Sequence, residues 1–576
     1  MAPRFFGTVL LAAVLLPADA RAQAQPVRFA GVQAADSVQT LRDARSQQAA
    51  FERFRAGRLP RVRGLGGGSP SDCTRVGRFC FYFSDDGDVN PPPEPPIVST
   101  RRAELVRALD AAAARSPGDA WITGQRVRYL AEHKEPARAL AAAHACRAEA
   151  AWCAALAGFA LHEDGRFDEA GAAFERALQL LPATERARWV DVDELLSARD
   201  QRTWRALSPA DRAVAERRLW WLADPFWSEP GNDRRTEHYA RWVMHALQDD
   251  ARQVDRTRWL DDSREVVVRY GWPRSWAVYQ PSYVGTNPGD AVVGYTGGRS
   301  WEWLPPLSVA RDPRALKGDE WPTEESAVTI TRYGPAYAAR MAELPHQFAR
   351  FRRGRETVLV AAFTLRDDSL AAASRLNAAL VAMADADARP AMARAEFTRR
   401  GVLRVTLPTD SVVASLEVRA DSSRIFGRRR VALGGDARAA VSDLLLLADP
   451  AARPVTLDEA AAGARSSAEA RAGERLAVFW ETYDVGAADS MTVRVRLVPD
   501  EPGWGRRQLE AVGLARAGRT AAMRWVEPVE PGPVVGRALG VSLPAGLRPG
   551  GYTLEVTVLL PGREPAVARR TLTVVR

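Results

Sequence analysis

Apolar residues along this chain recur with two different periods, and the change between them divides it. Over 101–182 they fall three and four positions apart. AELVRALDAAAA, AWITGQRVRYLAEH, PARALAAAHAC, AEAAWCAALAGFALHEDG and FDEAGAAFERALQLLP read as consecutive amphipathic helices with short breaks. Beyond Glu356 the period becomes two. TVLVAAFTL, VLRVTLP, VVASLEVRA, RRVALGG and SDLLLLADP form one set of short strands; LAVFWETYDV, MTVRVRLVP, AMRWVEP, ALGVSLP, YTLEVTVLLP and RRTLTVV form a second. Such spacing predicts antiparallel sandwiches. An Ala-rich stretch over 370–388 interrupts the first set and is expected to be a helix or a mobile insertion. Between the two periods, 186–350 is mixed. It contains a helix with Tyr239, Val243 and Leu247 at four-residue steps, and a strand expected over 265–270. A further helix is expected over 36–54, followed by RLPRVRGLGGGSP, whose glycines follow no predicted strand and read as a flexible linker.

These patterns predict a multidomain α+β chain: a short α-helical repeat, a central mixed Trp-rich domain, then antiparallel β-sandwich-like domains. The divisions fall at 1–24 (leader), 25–98 (helix, linker and Cys73/Cys80 loop), 99–185, 186–350, 351–455 and 470–576. Gly158, Leu161, Gly165, Phe167, Ala170, Phe174, Ala177 and Pro182 stand where a tetratricopeptide repeat puts its small and bulky packing residues, so this segment resembles one such repeat, with a degenerate partner over 120–147. A plain helical bundle is the alternative. Further on, Trp227, the helix TEHYARWVMHAL, and then Asp261, Val266, Val268, Arg269, Tyr270, Gly271, Pro273 and Trp276 resemble the exported bacterial proteins with a GWxTD domain. The motif string itself is replaced by Thr257-Arg258-Trp259-Leu260-Asp261, and GWP stands for the family's GPP. That resemblance implies architecture only: a Trp-containing helical lead-in, a strand, and β-rich domains to the C terminus.

The first residues carry Arg4, an apolar run over 8–16, Pro17, and small residues at Ala20, Ala22 and Ala24, the pattern of a cleaved secretory leader. The run has about half of the ~20 residues a membrane span needs, so the mature chain is expected in the periplasm or outside the cell, not spanning a membrane. In an oxidising compartment four cysteines suggest two disulfides, and proximity favours Cys73 with Cys80 and Cys146 with Cys153. Zinc is the competing reading, although neither pair has the spacing of a zinc knuckle. The chain is basic, with 80 Lys and Arg against 71 Asp and Glu. Lysine occurs only at Lys134 and Lys317, and no nucleic-acid module is recognisable, so Arg428 to Arg430 and the cluster Arg350, Arg352, Arg353, Arg355 are expected to be solvated faces or salt-bridge partners.

Few residues suggest chemistry. Asp85, Asp86, Asp88 and Asn90 lack the spacing of a calcium loop. His238 and His245 lie on one helix face without zinc-helix spacing, the pairs Asp261-Asp262 and Asp367-Asp368 are adjacent in sequence, and no nucleophile elbow or phosphate-binding loop occurs. No catalytic residue, metal or cofactor is therefore expected. Of 17 tryptophans, 12 fall in 186–321. Most are expected to be core, while Trp272, Trp276, Trp301 and Trp303 are candidates for stacking on a ligand. The expected function is non-enzymatic protein interaction or envelope assembly with an unknown envelope protein or glycan as partner. The alternative is a hydrolase or binding protein for envelope glycan or peptide that uses the Trp-rich centre.

Overall fold

The helical pattern folds as helices joined by tight turns. In the computed structural model, which describes residues 35–64, 74–81, 93–281, 291–296, 299–315, 330–370, 374–409, 411–434, 440–486, 488–500, 521–530 and 532–576, helices run Ala35–Ala56, Pro96–Arg115, Ala120–Glu132, Pro136–His144, Ala150–Glu163 and Phe167–Leu180. Asp119 caps the third by accepting from Ile122 N at 2.8 Å. The second and third antiparallel pairs close with the same turn: Lys134 (φ 64°) and Gly165 (φ 76°) are left-handed, and Glu135 N and Arg166 N reach back to Leu130 O and Leu161 O at 3.0 Å. Between the helices of the last pair there is no room for a side chain at Gly158, where a Cβ would lie 2.7 Å from Phe174 Cδ1. Cys146, in the turn between pairs, is bonded to Cys153 on the next helix. The expected Cys73–Cys80 link lies outside the described residues, as do the leader and the Asp85 to Asn90 turn.

Further helices, Ala183–Val190, Ala198–Ala206, Pro209–Ala223, Asp233–Asp249 and Asp261–Tyr270, share one apolar core with the first six. The last corrects the strand expected over 265–270. Three consecutive valines favour a strand locally, but Asp261 and Asp262 occupy the first turn, Ser263 accepts Leu260 N, and Val267 and Val268 bury one helical face. Gly271 (φ 84°) ends the helix, and Arg241 donates to its last carbonyls, Val268 O at 3.0 Å and Arg269 O at 2.6 Å. The stretch read as a linker begins as a strand, Arg61–Gly64, parallel to Ser275–Pro281.

Two sandwiches follow, each a five-stranded sheet over a three-stranded one. In the first, Ala391–Phe397, Leu376–Met383, Val412–Ala420, Ile425–Leu433 and Arg340–Met341 face Arg400–Leu407, Glu356–Thr364 and His346–Arg353. In the second, Glu469–Arg471, Ala566–Val575, Gly550–Leu559, Ser490–Pro499 and Ala521–Pro528 face Leu445–Leu447, Arg475–Tyr483 and Val534–Ser542. The three-stranded sheets also pack back to back, through Ala349, Phe351 and Val360 against Leu445, Ala477 and Phe479. The layers therefore run helices, five strands, three, three, five. The fold is multidomain α+β.

Leu376–Met383 corrects the helix or insertion expected there. Leu376, Ala378, Leu380 and Ala382 enter the sandwich core, while Ala379 and Val381 meet Trp221, Leu222 and Trp227 of the helical layer. A strand buried on both faces shows no alternation of apolar and polar residues. Among the described residues no helix is long and apolar enough to cross a membrane.

A candidate recognition cleft between helices and sandwich

The tryptophans weld the helical layer to the first sandwich. Trp221 and Trp227 stack at 4.9 Å on the five-stranded sheet, and Trp227 Nε1 donates to Trp221 O at 2.7 Å. Trp301 and Trp303 lie against Phe426, at 5.1 and 5.8 Å, and Trp303 Nε1 donates to Tyr333 O. Their exposures of 1% and 0% correct the expectation that loop tryptophans offer faces to a ligand. Pro305 and Pro306 introduce a short helix, Leu307–Arg311, that docks in the core and carries the loop in with it. Trp272 is buried against Phe159, and Trp276 is half-buried on the strand Ser275–Pro281.

The sandwich grips the same seam with charge. Glu417 accepts Trp227 N at 3.0 Å and Ser228 N at 2.9 Å, and Arg430 donates to the carbonyls of Leu222 and Asp224 while lying 4.0 Å over the Trp227 ring. Arg428 donates to Asp224 O at 2.9 Å. Arg428 and Arg430 are thus buried backbone clamps, which corrects the solvated face expected for them, while Arg430 also pairs with Glu417 at 3.7 Å as the salt-bridge alternative has it. The second basic cluster does form ion pairs: Arg350 with Asp443, Arg352 with Asp484 and Arg353 with Glu481.

Beside this seam opens a cleft of about 340 Å³. Its walls are the turn and first helical turn over 165–169, the segment over 224–233, and Tyr337 with Arg419 from the first sandwich. Gly231 (φ 82°) lets that segment lie against the helix start, where any Cβ would collide with the backbone of Phe167 and Asp168. Asn232 then caps the next helix, accepting from Arg235 N at 2.8 Å. Phe226 and Tyr337 form an aromatic wall with ring centroids 5.6 Å apart. Arg419 lies over both, at 5.5 and 5.4 Å, and pairs with Glu229 at 3.1 Å.

Asp233 forms the floor, accepting from the hydroxyls of Tyr337 at 2.6 Å and Tyr333 at 3.1 Å. Burial raises its pKa, and raises that of Asp224 well above the usual carboxylate range, with the Asp233 charge adding to the effect. Behind the floor lies a hydroxyl, imidazole and carboxylate in series: Thr236 Oγ1 is 3.0 Å from His162 Nδ1, and His162 Nε2 is 2.8 Å from Glu237 Oε2. The series is sealed in the core, with Thr236 2% exposed. Burial disfavours the Glu237 carboxylate, yet Arg241 at 2.7 Å and His162 hold its pKa far below normal. Arg234, on the same helix, is fully buried over Trp220, and its guanidinium nitrogens bond no protein atom.

The other candidates are structural. His238 Nε2 bonds Trp189 O and His245 Nδ1 accepts from Trp259 Nε1, so the two do not share a site. Asp262 receives Arg78 and Asp367 receives Arg340. Among the described residues no three His, Cys, Asp or Glu side chains come together to hold a metal ion. Sequence reasoning missed the cleft because its residues come from three remote segments. The Pro-Gly-Asn-Asp string at 230–233 was its one local signal, and it was legible only as a helix break.

No family model and no curated protein matches the chain. Among solved structures, it is similar to a red sea bream transglutaminase (12% identity, 41% of this chain and 31% of that one, TM-score 0.14). It is similar also to Escherichia coli alpha-2-macroglobulin activated by porcine elastase (13%, 42% and 24%, TM-score 0.13). The chain thus spans less than a third of either, and at these scores nothing is carried over from them.

Proposed function

We propose that the protein is an exported, non-enzymatic interaction module of the bacterial envelope, built from tetratricopeptide-like helix pairs and a GWxTD-like Trp-rich region, and that a partner docks in the cleft between helices and first sandwich. The observation that carries this reading is the seam itself. The aromatic side chains are consumed in holding two layers together and the Thr236, His162, Glu237 series in joining two helices of one layer, and what remains accessible beside them is a concave cleft of mixed aromatic and charged lining. The turn shared by the two helix pairs supports the repeat reading, and the bond between Cys146 and Cys153 suits an oxidising compartment. A second reading, hydrolysis of envelope glycan or peptide, draws on Asp224, since a carboxyl with a raised pKa in an aromatic cleft is what general-acid catalysis requires.

The test is site-specific photo-crosslinking in the producing cell. A probe at Asp168 on the cleft rim is expected to capture a discrete envelope protein, and one at Thr571 on the far sheet is not; the recovered chain should begin near Gln23 or Gln25. Identical capture from both positions, or retention of Met1, would overturn the reading. Release of fragments from envelope glycan or peptide, lost in Asp224→Asn, would put the hydrolase in its place.

A further inference from the structure

We propose that the outer face of the second sandwich's five-stranded sheet docks on an anionic lipid bilayer, its arginines reaching headgroup phosphates and its exposed valines entering the boundary between headgroups and acyl chains. This surface is separate from the cleft and adds to the docking reading above without resting on it. The argument begins with register. Across four strands one row of the outer face runs Val567, Thr557, Arg494 and Arg524, and the next runs Arg569, Glu555, Arg496 and Ala522. Four guanidinium groups thus stand with one carboxylate, and Glu555 is shared by Arg496 at 3.6 Å and Arg569 at 3.2 Å. Arg494 and Arg524 are exposed, lie directly opposite each other on neighbouring strands, and have no ion-pair partner among the described residues. Like charges in that position work against strand pairing, and an anionic surface laid on the sheet relieves the repulsion.

The second observation is independent of charge. Val526, 68% exposed, is the most exposed large apolar side chain among the described residues, and it stands two positions beyond Arg524 on the same face of its strand. Val567, also exposed, ends the row that holds Arg494 and Arg524. Basic and apolar side chains interleaved on one face suit a bilayer interface, where guanidinium groups meet phosphates and apolar groups enter beneath them. A glycan or a nucleic acid is disfavoured, because Trp525 and Tyr552 pack inward against the second core and no described aromatic side chain of this sheet faces outward for a ring to stack on. A single small anion is disfavoured too, since the four arginines are spread over three strands. With the layers running helices, five strands, three, three, five, a bilayer on this face leaves the cleft, beyond both three-stranded sheets, open to a partner.

The experiment is co-flotation of the full chain, at low salt, with vesicles of equal parts phosphatidylglycerol and phosphatidylcholine and with vesicles of phosphatidylcholine alone. The anionic vesicles are expected to carry the chain in excess over the neutral ones, and any part played by the apolar run at 8–16 is common to every variant. Arg494→Gln with Arg524→Gln, which also removes the repulsion between the two strands, should weaken binding to the anionic vesicles about 30-fold, or about fivefold for each arginine. Arg107→Gln with Arg176→Gln, at exposed positions of the helical layer, removes the same charge and should leave binding near that of the unsubstituted chain. Val526→Ser, which keeps every charge, should weaken it about fivefold. Equal flotation with both vesicles, equal losses from the two double substitutions, or indifference to Val526→Ser would each overturn the proposal. Binding of soluble polyglutamate as tight as that of the vesicles would put an acidic protein in the bilayer's place. Crosslinks at Asp168 are read separately, so the cleft reading and the bilayer face stand or fall apart.

Discussion

Two central strands with the same sequence pattern have opposite fates. Val412–Ala420 in the first sandwich and Gly550–Leu559 in the second both alternate apolar residues with polar ones. Leu554, Val556 and Val558 face the second core while Thr553, Glu555 and Thr557 stay partly open to solvent, as the alternation predicts. In the first sandwich Leu416 and Val418 face the core in the same way, but Ser415 and Glu417 on the other face are 0% and 2% exposed. The difference is the layer above. The helical module lies on that sheet, and its backbone N–H groups at Trp227 and Ser228 need acceptors that only a buried carboxylate supplies. Alternation therefore marks which face is apolar; it does not say whether the polar face meets water or another domain.

The sharpest way to break this comparison is to remove the carboxylates one at a time. Glu417→Ala leaves two buried N–H groups and the Arg430 guanidinium, 3.7 Å away, without their acceptor, and is expected to cost about 3 to 5 kcal/mol. Glu555→Gln, on the far sheet, loses half-screened pairs with Arg496 and Arg569 and should cost about 0 to 1 kcal/mol. Urea unfolding of the full chain decides it, and equal losses would mean that the seam is not what anchors the helical layer.

Packing gives a smaller contrast. Ala379→Leu forces volume under the Trp221 and Trp227 stack and is expected to destabilise by about 1 to 3 kcal/mol. Thr571→Leu, on the exposed face of the second sandwich, should stay within about 0.5 kcal/mol. Thermal melts that do not separate the two would show the seam to be loosely packed.

The last contrast is a slope in pH. Burial, with the like charge of Arg234 behind it, lowers the His238 pKa from 6.5 to about 3. Folding thus favours the neutral ring: its contribution is complete above pH 6.5 and is lost as pH falls from 6.5 toward 3, by about 1.4 kcal/mol per unit. His238→Gln, which keeps a donor for Trp189 O, removes that slope. Urea midpoints compared between pH 6.5 and 5 measure it, and an unchanged slope would place the ring in contact with water. The second sandwich carries no histidine and supplies no such term.

Much of the fold was legible for reasons that are local. Period and turn residues located the helix pairs of the repeat-like segment and all the strands of the second sandwich except the short Glu469–Arg471, although Leu445–Leu447, read with the first set, pairs instead with Arg475–Tyr483 of the second; the proximity of Cys146 to Cys153 anticipated their bond. What was missed lies where two layers meet. The strand Leu376–Met383 hid because alanines on both of its faces erase alternation, and they stand there because indoles and a second sheet press from either side. The helix Asp261–Tyr270 hid because its valines favour a strand while its caps and Arg241, 28 residues from the Arg269 carbonyl it bonds, decide otherwise. The cleft was invisible for the same reason: Asp168, Asp224, Tyr337 and Arg419 carry no shared spacing and acquire a common address only when helices and sandwich close on each other. The sequence by itself thus determined most of the elements, their apolar faces and the bonded cysteines, where interactions within a few residues set them. Only the tertiary structure decided which polar faces would be buried and which carboxylates would gather, because both depend on contacts between segments that no local pattern links.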